Sequence, residues 1–221
     1  MPQPLFFMEL PEDYQIGFKQ FLGAKIDLSK RPFIPREETE YWVSFALKEI
    51  KKKNKVLCLD LFSGSGCIGV AVLKNIYESL CDFGEKEELF LEQIKINLRI
   101  NNISEERYNI IQTDVFSNIK RKYDFILANP PYVALKRINE VGEDVKQYEP
   151  PSALYGGKEG LDIIKEFLFR ANDFLRKGGK VFMEFDPGQK QAVEDLLRDK
   201  YSKIEFFKDQ FNKYRFLRLE K

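Results

Sequence analysis

Lys55-Val56-Leu57-Cys58-Leu59-Asp60-Leu61-Phe62, running into Ser63-Gly64-Ser65-Gly66-Cys67-Ile68-Gly69, decides the fold. The first eight residues form an apolar run broken by one acid, the pattern of a short strand buried on both faces. The glycines after it let the chain turn tightly and let its backbone approach a ligand with no Cβ in the way. A helix is expected next, over Gly66–Leu80, with Ile68, Val72 and Ile76 on one stripe.

Working outward, Tyr123–Asn129 and Gly179–Phe185 read as two more buried strands, and Tyr108–Gln112 as a weaker one. Helical spacing recurs between them, over Glu87–Asn101, Leu161–Arg176 and Gln189–Lys200. Strand alternating with helix implies a parallel sheet covered on both faces. The tail differs: Lys203–Lys208 and Lys213–Glu220 are strands joined by a short turn, so a hairpin adds an antiparallel pair at one edge. This is the outline of an α/β, Rossmann-like class I methyltransferase fold, with seven strands, mostly parallel. Upstream, Glu37–Lys53 is a helix with Trp42, Phe45, Ala46 and Ile50 on one face and Pro35 near its start. The lysines at 51–53 and 55 read as its solvated C-terminus. Lys136–Gly160 reads as a long non-regular stretch, and such loops are commonly functional. The expected organisation is a short N-terminal extension over 1–30 and a catalytic domain over 31–221.

The glycine turn lacks the spacing of dinucleotide folds, because Phe62 stands where the first glycine would be, and it lacks the lysine of a P-loop. With no cation inside it to meet a pyrophosphate, and with Asp60 before it, the turn suits a positively charged ligand such as S-adenosylmethionine. The alternative is a plain strand-to-helix turn. An acid near the end of the second strand would bind ribose hydroxyls. Asp82 and Glu85 are the candidates, Glu85 having the better spacing, with solvated loop acids as the alternative.

Asn129-Pro130-Pro131-Tyr132 ends the Tyr123–Asn129 strand. Two prolines stiffen the turn and donate no hydrogen bonds. The Asn129 side chain and the Pro130 carbonyl are then acceptors for a planar NH₂ group, with Tyr132 as an aromatic wall. Two acceptors gripping a weakly nucleophilic nitrogen orient its lone pair toward a sulfonium methyl. Catalysis of that kind is positioning and electrostatics.

Composition agrees. The 221 residues carry 36 basic and 35 acidic side chains, a net charge of +1, which argues against a protein held mainly by nucleic-acid phosphates. There is no histidine. Histidine-based triads, zinc helices and general bases are therefore excluded, and no metal centre is expected. Cys58, Cys67 and Cys81 match no zinc spacing and read as reduced thiols of a cytoplasmic protein. Met1–Leu10 shows no leader pattern, and the uncharged run Leu61–Leu73 is too short and too rich in Gly and Ser to span a bilayer.

With these motifs in place the chain, from Phe21 onward, resembles the release-factor glutamine methyltransferases (the HemK/PrmC family). Phe33-Ile34-Pro35-Arg36-Glu37-Glu38-Thr39-Glu40 is similar to a segment of that family, as are Asp60–Gly66, Asn129–Tyr132 and Tyr148–Leu154 with Gly156-Gly157 and Gly160-Leu161-Asp162. The resemblance implies that S-adenosylmethionine is held by Phe62, Ser63, Gly64, Ser65, Gly66, Glu85, Asp114, Val115 and Asn129. It implies that Asn129, Pro130, Pro131 and Tyr132 bind the substrate glutamine, with Asn129, Pro130 and Tyr132 catalytic. The implied reaction is methylation of the glutamine side-chain amide in the Gly-Gly-Gln motif of peptide chain release factors, with Lys136–Gly160 lining the groove for that loop. Two departures stand out. Phe62-Ser63 replaces the family's Gly-Thr, and only about twenty residues, among them Phe6, Phe7, Tyr14 and Phe18, stand where the family carries a helical domain. The alternatives are amine methylation of a base in ribosomal RNA or DNA, and methylation of a ribosomal-protein glutamine.

Overall fold

The computed structural model describes residues 10–197 and 200–221. Phe6, Phe7 and nearly all of the Met1–Leu10 stretch lie outside the described residues, as do 198 and 199 of the helix expected over Gln189–Lys200.

In chain order the elements begin with α1 (Glu12–Ile16), β1 (Phe18–Phe21), β2 (Ala24–Asp27) and α2 (Glu37–Ile50). Next come β3 (Leu57–Leu61), α3 (Cys67–Asn75), β4 (Leu80–Glu85), α4 (Glu88–Ile100), β5 (Tyr108–Gln112) and β6 (Tyr123–Ala128). The remainder are α5 (Glu143–Tyr148), α6 (Pro151–Leu154), α7 (Asp162–Arg170), β7 (Leu175–Glu184), α8 (Lys190–Leu196), β8 (Lys203–Lys208) and β9 (Tyr214–Glu220). Seven strands form one sheet in the order β5-β4-β3-β6-β7-β9-β8. The first five run parallel, while β9 pairs antiparallel with β7 and β8 antiparallel with β9. The expected class I fold with its C-terminal hairpin is what the chain adopts.

Alternation along the strands builds two cores. Leu57, Leu59 and Leu61 of β3 and Ile126 and Ala128 of β6 face α7 and α8 through Ile164, Phe167, Leu168 and Val193. Cys58 of β3, Phe125 and Leu127 of β6 and Phe182 of β7 face the other layer, with Trp42, Val43 and Ala46 of α2 and Val72 of α3. A strand with both faces covered needs no polar alternation, which is why β3 reads as a continuous apolar run.

Four expectations are corrected. The helix read over Gly66–Leu80 stops at Asn75, and Leu80 opens β4. Ile76 is extended, and the Asn75 amide donates to the carbonyls of Ala71 and Leu22, each at 2.9 Å, fixing that end. The helix read to Arg176 ends at Arg170 in a 3-10 turn, Ala171–Phe174, so Leu175 and Arg176 begin β7. β7 thus starts earlier than the Gly179 read from sequence, with a register shift against β6. Lys136–Gly160 is not one loop but a 3-10 segment, Leu135–Glu140, succeeded by α5 and α6.

The N-terminal hairpin β1–β2 was not read from sequence. Its two-residue turn is Leu22-Gly23, both at positive φ (48° and 81°), which is the twist a tight hairpin requires. Leucine is an unusual occupant of that conformation, so the sequence carries no Asn-Gly signal. The hairpin buries Phe21, Ala24 and Ile26. The free edge of β2 is met by three carboxamides spaced along α4: Asn97 and Asn101 accept from the N–H groups of Asp27 (2.7 Å) and Lys25 (3.1 Å), while Gln93 donates to the Asp27 carbonyl (2.8 Å).

Candidate active site

At the carboxyl ends of β3, β4, β5 and β6 lies a cavity of about 290 Å³. β3 pairs with β4 on one side and β6 on the other, so this is the switch point where ligands bind in open α/β sheets. Each strand delivers one part of the site. The glycine turn comes after β3, Glu85 ends β4, Asp114 and Val115 come after β5, and Asn129–Tyr132 after β6.

The turn is held from below. Ser63 N–H donates to the Gly84 carbonyl at 3.1 Å and Gly66 N–H to the Ser63 carbonyl at 2.7 Å. Phe62 has φ 63°, a left-handed conformation that costs a bulky residue about 1 kcal/mol or more. Its ring packs on Phe167 at 6.0 Å between centroids, which offsets that strain. Asp60 is fully buried beneath the turn. Its Oδ2 accepts from Gly69 N–H at 2.8 Å, and its Oδ1 has no partner among the described residues. Burial drives its carboxyl well above the usual range, so a cation nearby would stabilise the ionised form.

Glu85 is buried and anchored by three backbone donors: Gly64 N–H at 2.7 Å, Lys86 N–H at 2.7 Å and Glu87 N–H at 2.8 Å. Burial raises its pKa, against the pull of those donors. A carboxylate so fixed keeps one acceptor position, on Oε2, free of these donors. Asp82 settles differently: it accepts from Tyr123 Oη–H at 2.9 Å and Asn109 Nδ2–H at 2.7 Å, and it does not line the cavity. Of the two acids open from sequence, the cavity takes Glu85.

Phe62, Ser63, Gly64, Ser65, Glu85, Asp114, Val115, Asn129, Pro130, Pro131 and Tyr132 all line this one cavity. Gly66 does not; it caps α3 behind the wall. Val115 is buried with φ 47°, an outlier for a β-branched residue. Asp114 is exposed at the rim, paired with Lys86 at 2.8 Å. Cys67, also on the wall, is pushed up to about 12 chiefly by burial, so it remains a thiol.

Pro130 has no N–H, and among the described residues its carbonyl receives no hydrogen bond from the protein. The tetrad is fixed by the segment downstream of it. Val133 N–H donates to the Leu154 carbonyl at 2.8 Å, and Gly156 N–H to the Val133 carbonyl at 3.0 Å. Gln189 Nε2 donates to the carbonyls of Tyr132 (2.9 Å) and Gly160 (3.0 Å). A Cβ on Gly160 would stand 2.1 Å from the Tyr132 carbonyl, and one on Gly156 2.4 Å from that of Pro131. Gly156 and Gly160 are glycines because the tetrad's backbone lies against them.

Sequence reasoning missed the second half of this wall. Phe33, Pro35 and Thr39 line the cavity from the segment before and within α2. Arg36 forms an ion pair with buried Glu149, whose Oε2 also accepts from Ile34 N–H at 3.3 Å. Glu184, at the end of β7, accepts from Thr39 Oγ1 (2.6 Å), Trp42 Nε1 (2.7 Å) and Tyr132 Oη (3.0 Å). Burial raises Glu184, with the three donors and Arg215 opposing it, and burial beside Glu184 holds the Tyr132 phenol far above its usual value. Tyr132 is therefore not a base. An acid at the end of an apolar strand was the available signal for Glu184.

Comparison with known proteins agrees with this geometry. The family model for the methyltransferase small domain matches residues 43–146. Among solved structures, the 16S rRNA N2 G1207 methyltransferase of T. thermophilus, in complex with AdoMet and guanosine, superposes with a TM-score of 0.67 at 20% identity, over 92% of this chain and 49% of that one. That likeness concerns the fold. The release factor glutamine methyltransferase of Streptococcus pneumoniae is 32% identical over 93% of this chain and 73% of its own length. That of Thermodesulfovibrio yellowstonii is 35% identical over 90% of this chain and 72% of its own. A cavity that joins a glycine turn, a buried glutamate held by backbone donors and an Asn-Pro-Pro-Tyr corner, in a chain this similar over nearly all its length, places it in the family of release factor glutamine methyltransferases.

Proposed function

We propose that this chain methylates the side-chain amide nitrogen of the glutamine in the Gly-Gly-Gln motif of a peptide chain release factor, using S-adenosylmethionine. The observation that carries the reading is the single cavity lined by both the glycine turn with Glu85 and the Asn129–Tyr132 corner. The residues present fit the cofactor: the turn holds no cation, Glu85 offers acceptor lone pairs, and Asp60 keeps an unpartnered oxygen beneath. When bound, the cofactor supplies an activated methyl group on a sulfonium.

The chain's own residues do the rest. Asn129 Oδ1 and the Pro130 carbonyl accept the two amide hydrogens of the glutamine, which aims its nitrogen lone pair. Pro131 and Tyr132 wall the amide plane. Phe62, Ser63, Gly64, Ser65 and Gly66 shape the cofactor cradle, Glu85 takes the ribose, and Asp114 and Val115 border the base. No base is needed before transfer, since the proton leaves afterwards. Phe33, Pro35 and the Lys136–Gly160 segment frame the entrance for the substrate loop. The unit 31–221 performs catalysis, with 1–30 as a short extension. Three thiols without disulfide partners suit a cytoplasmic setting, and no helix of the described residues is long and apolar enough to cross a membrane. The alternative of a nucleic-acid base is not favoured by the two release factor glutamine methyltransferases that match over nearly all of this chain.

The test is methyl transfer to purified release factor beside ribosomal RNA, with the modified site mapped by mass spectrometry. Label on the Gly-Gly-Gln glutamine, abolished when that glutamine is replaced by alanine, supports the assignment. Label that persists after the replacement overturns it.

A further inference from the structure

A carboxamide has two ends of nearly the same shape, and only one of them can accept. Asn129 serves an NH₂ substrate only with its oxygen toward the substrate; turned over, it meets donors with donors. Nothing in the Asn129-Pro130-Pro131-Tyr132 motif itself decides which end faces the cavity. The decision comes from two residues outside it.

Asn129 Nδ2 lies 3.3 Å from Thr39 Oγ1, and Thr39 Oγ1 lies 2.6 Å from Glu184 Oε2. Trp42 Nε1, which can only donate, reaches the same Oε2 at 2.7 Å, and Tyr132 Oη reaches Oε1 at 3.0 Å. Arg215 adds a positive charge nearby. Burial raises the Glu184 carboxyl and Arg215 with the three donors opposes that rise; the donors leave both of its oxygens as acceptors. The single hydroxyl hydrogen of Thr39 is then committed to Glu184. What Thr39 has left is lone pairs, and only the NH₂ end of Asn129 can meet them. Oδ1 remains for the cavity.

We infer that Thr39 and Glu184 form a polarity relay that fixes which end of the Asn129 amide faces the substrate nitrogen. The inference rests on the reading of Asn129 as the acceptor for that nitrogen. Both are positioning residues: Glu184 acts on Asn129 through Thr39 and on Tyr132 directly, so one carboxylate orients both ends of the tetrad. The relay also gives Thr39 a reason to sit in the first turn of α2, where its side chain is nearly fully buried against the end of β7.

Thr39→Val keeps the shape and removes the hydroxyl. Its kcat should fall between about tenfold and a hundredfold, the range for a misplaced catalytic group, while the acceptor KM and cofactor Kd stay within about threefold. Thr39→Ser should restore most of the rate. In an Asn129→Ala background, Thr39→Val should cost nothing further, because its target is gone. Glu184→Gln should be mild, since Trp42 selects the glutamine oxygen for the Thr39 side; Glu184→Met should match or exceed Thr39→Val. An unchanged kcat in Thr39→Val, or an equal loss in both backgrounds, overturns the relay.

A second readout needs no turnover. The Asn129 side-chain amide, assigned by its loss in Asn129→Ala, should exchange its hydrogens slowly in the wild type and Thr39→Ser and faster in Thr39→Val. Equal exchange in all three overturns the relay. Should the wild type leave release-factor glutamine unmodified, the substrate reading fails and this amide signal still judges the relay.

Discussion

The N–H of Gly64 donates to Glu85 Oε2 at 2.7 Å, tying the turn after β3 to the end of β4. Lys86 and Glu87 N–H groups converge on Oε1, so the carboxylate has no freedom to rotate. Glu85→Gln places an NH₂ against at least one of these donors. Cofactor affinity should drop about tenfold or more, given what a hydrogen bond to a charged group contributes. Because burial raises the Glu85 pKa, its acceptor form is lost on acidification sooner than for an ordinary glutamate. Calorimetry should show cofactor Kd rising toward acid pH in the wild type and less steeply in Glu85→Gln.

Asp60 sets stability against binding. Between the ordinary carboxylate value and its raised folded value, the native chain holds a proton the unfolded chain has released, so stability falls as pH rises through that window and stays lower above it. Asp60→Asn removes the ionisation. Without cofactor, its Tm should exceed that of the wild type at neutral pH, with the gap closing on acidification, while cofactor Kd weakens. A lower Tm at neutral pH, or unchanged binding, contradicts this account.

Asn129→Ala should lower kcat by about a hundredfold or more, as loss of an oriented transition-state contact does, while cofactor Kd stays within about threefold. Unchanged turnover would remove Asn129 from the reaction.

Gly160→Ala tests the seating of the tetrad. The residue has φ 72°, and its Cβ would lie 2.1 Å from the Tyr132 carbonyl. The variant should lose about 2 kcal/mol or more of stability and most of its activity. A calorimetric scan and a transfer assay read both.

Arg36→Ala leaves Glu149 buried without its cation. Burial already raises Glu149, and Arg36 opposes that rise. Since the Arg36 side chain is 32% exposed, the loss should fall below that of a fully buried pair, at about 2 kcal/mol. The Glu149 pKa climbs further in the variant, so the defect should be deepest at neutral pH and shrink on acidification. Denaturant titrations at two pH values measure it.

The parallel strands β3 and β6 and both motifs were legible because buried apolar runs and glycine or proline turns are local signals. β4 was not. Its sequence Leu-Cys-Asp-Phe-Gly-Glu holds two acids and a glycine, residues that strands disfavour, and Asp82 and Gly84 have tertiary reasons. Asp82 is satisfied by Tyr123 and Asn109, and a Cβ on Gly84 would stand 2.7 Å from Leu61 Cδ1. Thr39 and Glu184 were invisible as partners for a like reason. They are separated by 145 positions and meet only because α2 packs across the end of β7.

The carboxamides of α4 have an effect beyond holding the hairpin in place. Gln93, Asn97 and Asn101 supply to β2 the donors and acceptors that another strand would have brought. The outer edge of β2 is thereby saturated, and a foreign chain looking to extend the ribbon on that side finds no vacancy. Asn97 also grips the Ser65 carbonyl at 2.8 Å, so the device that guards against aggregation is fastened to the cofactor cradle itself.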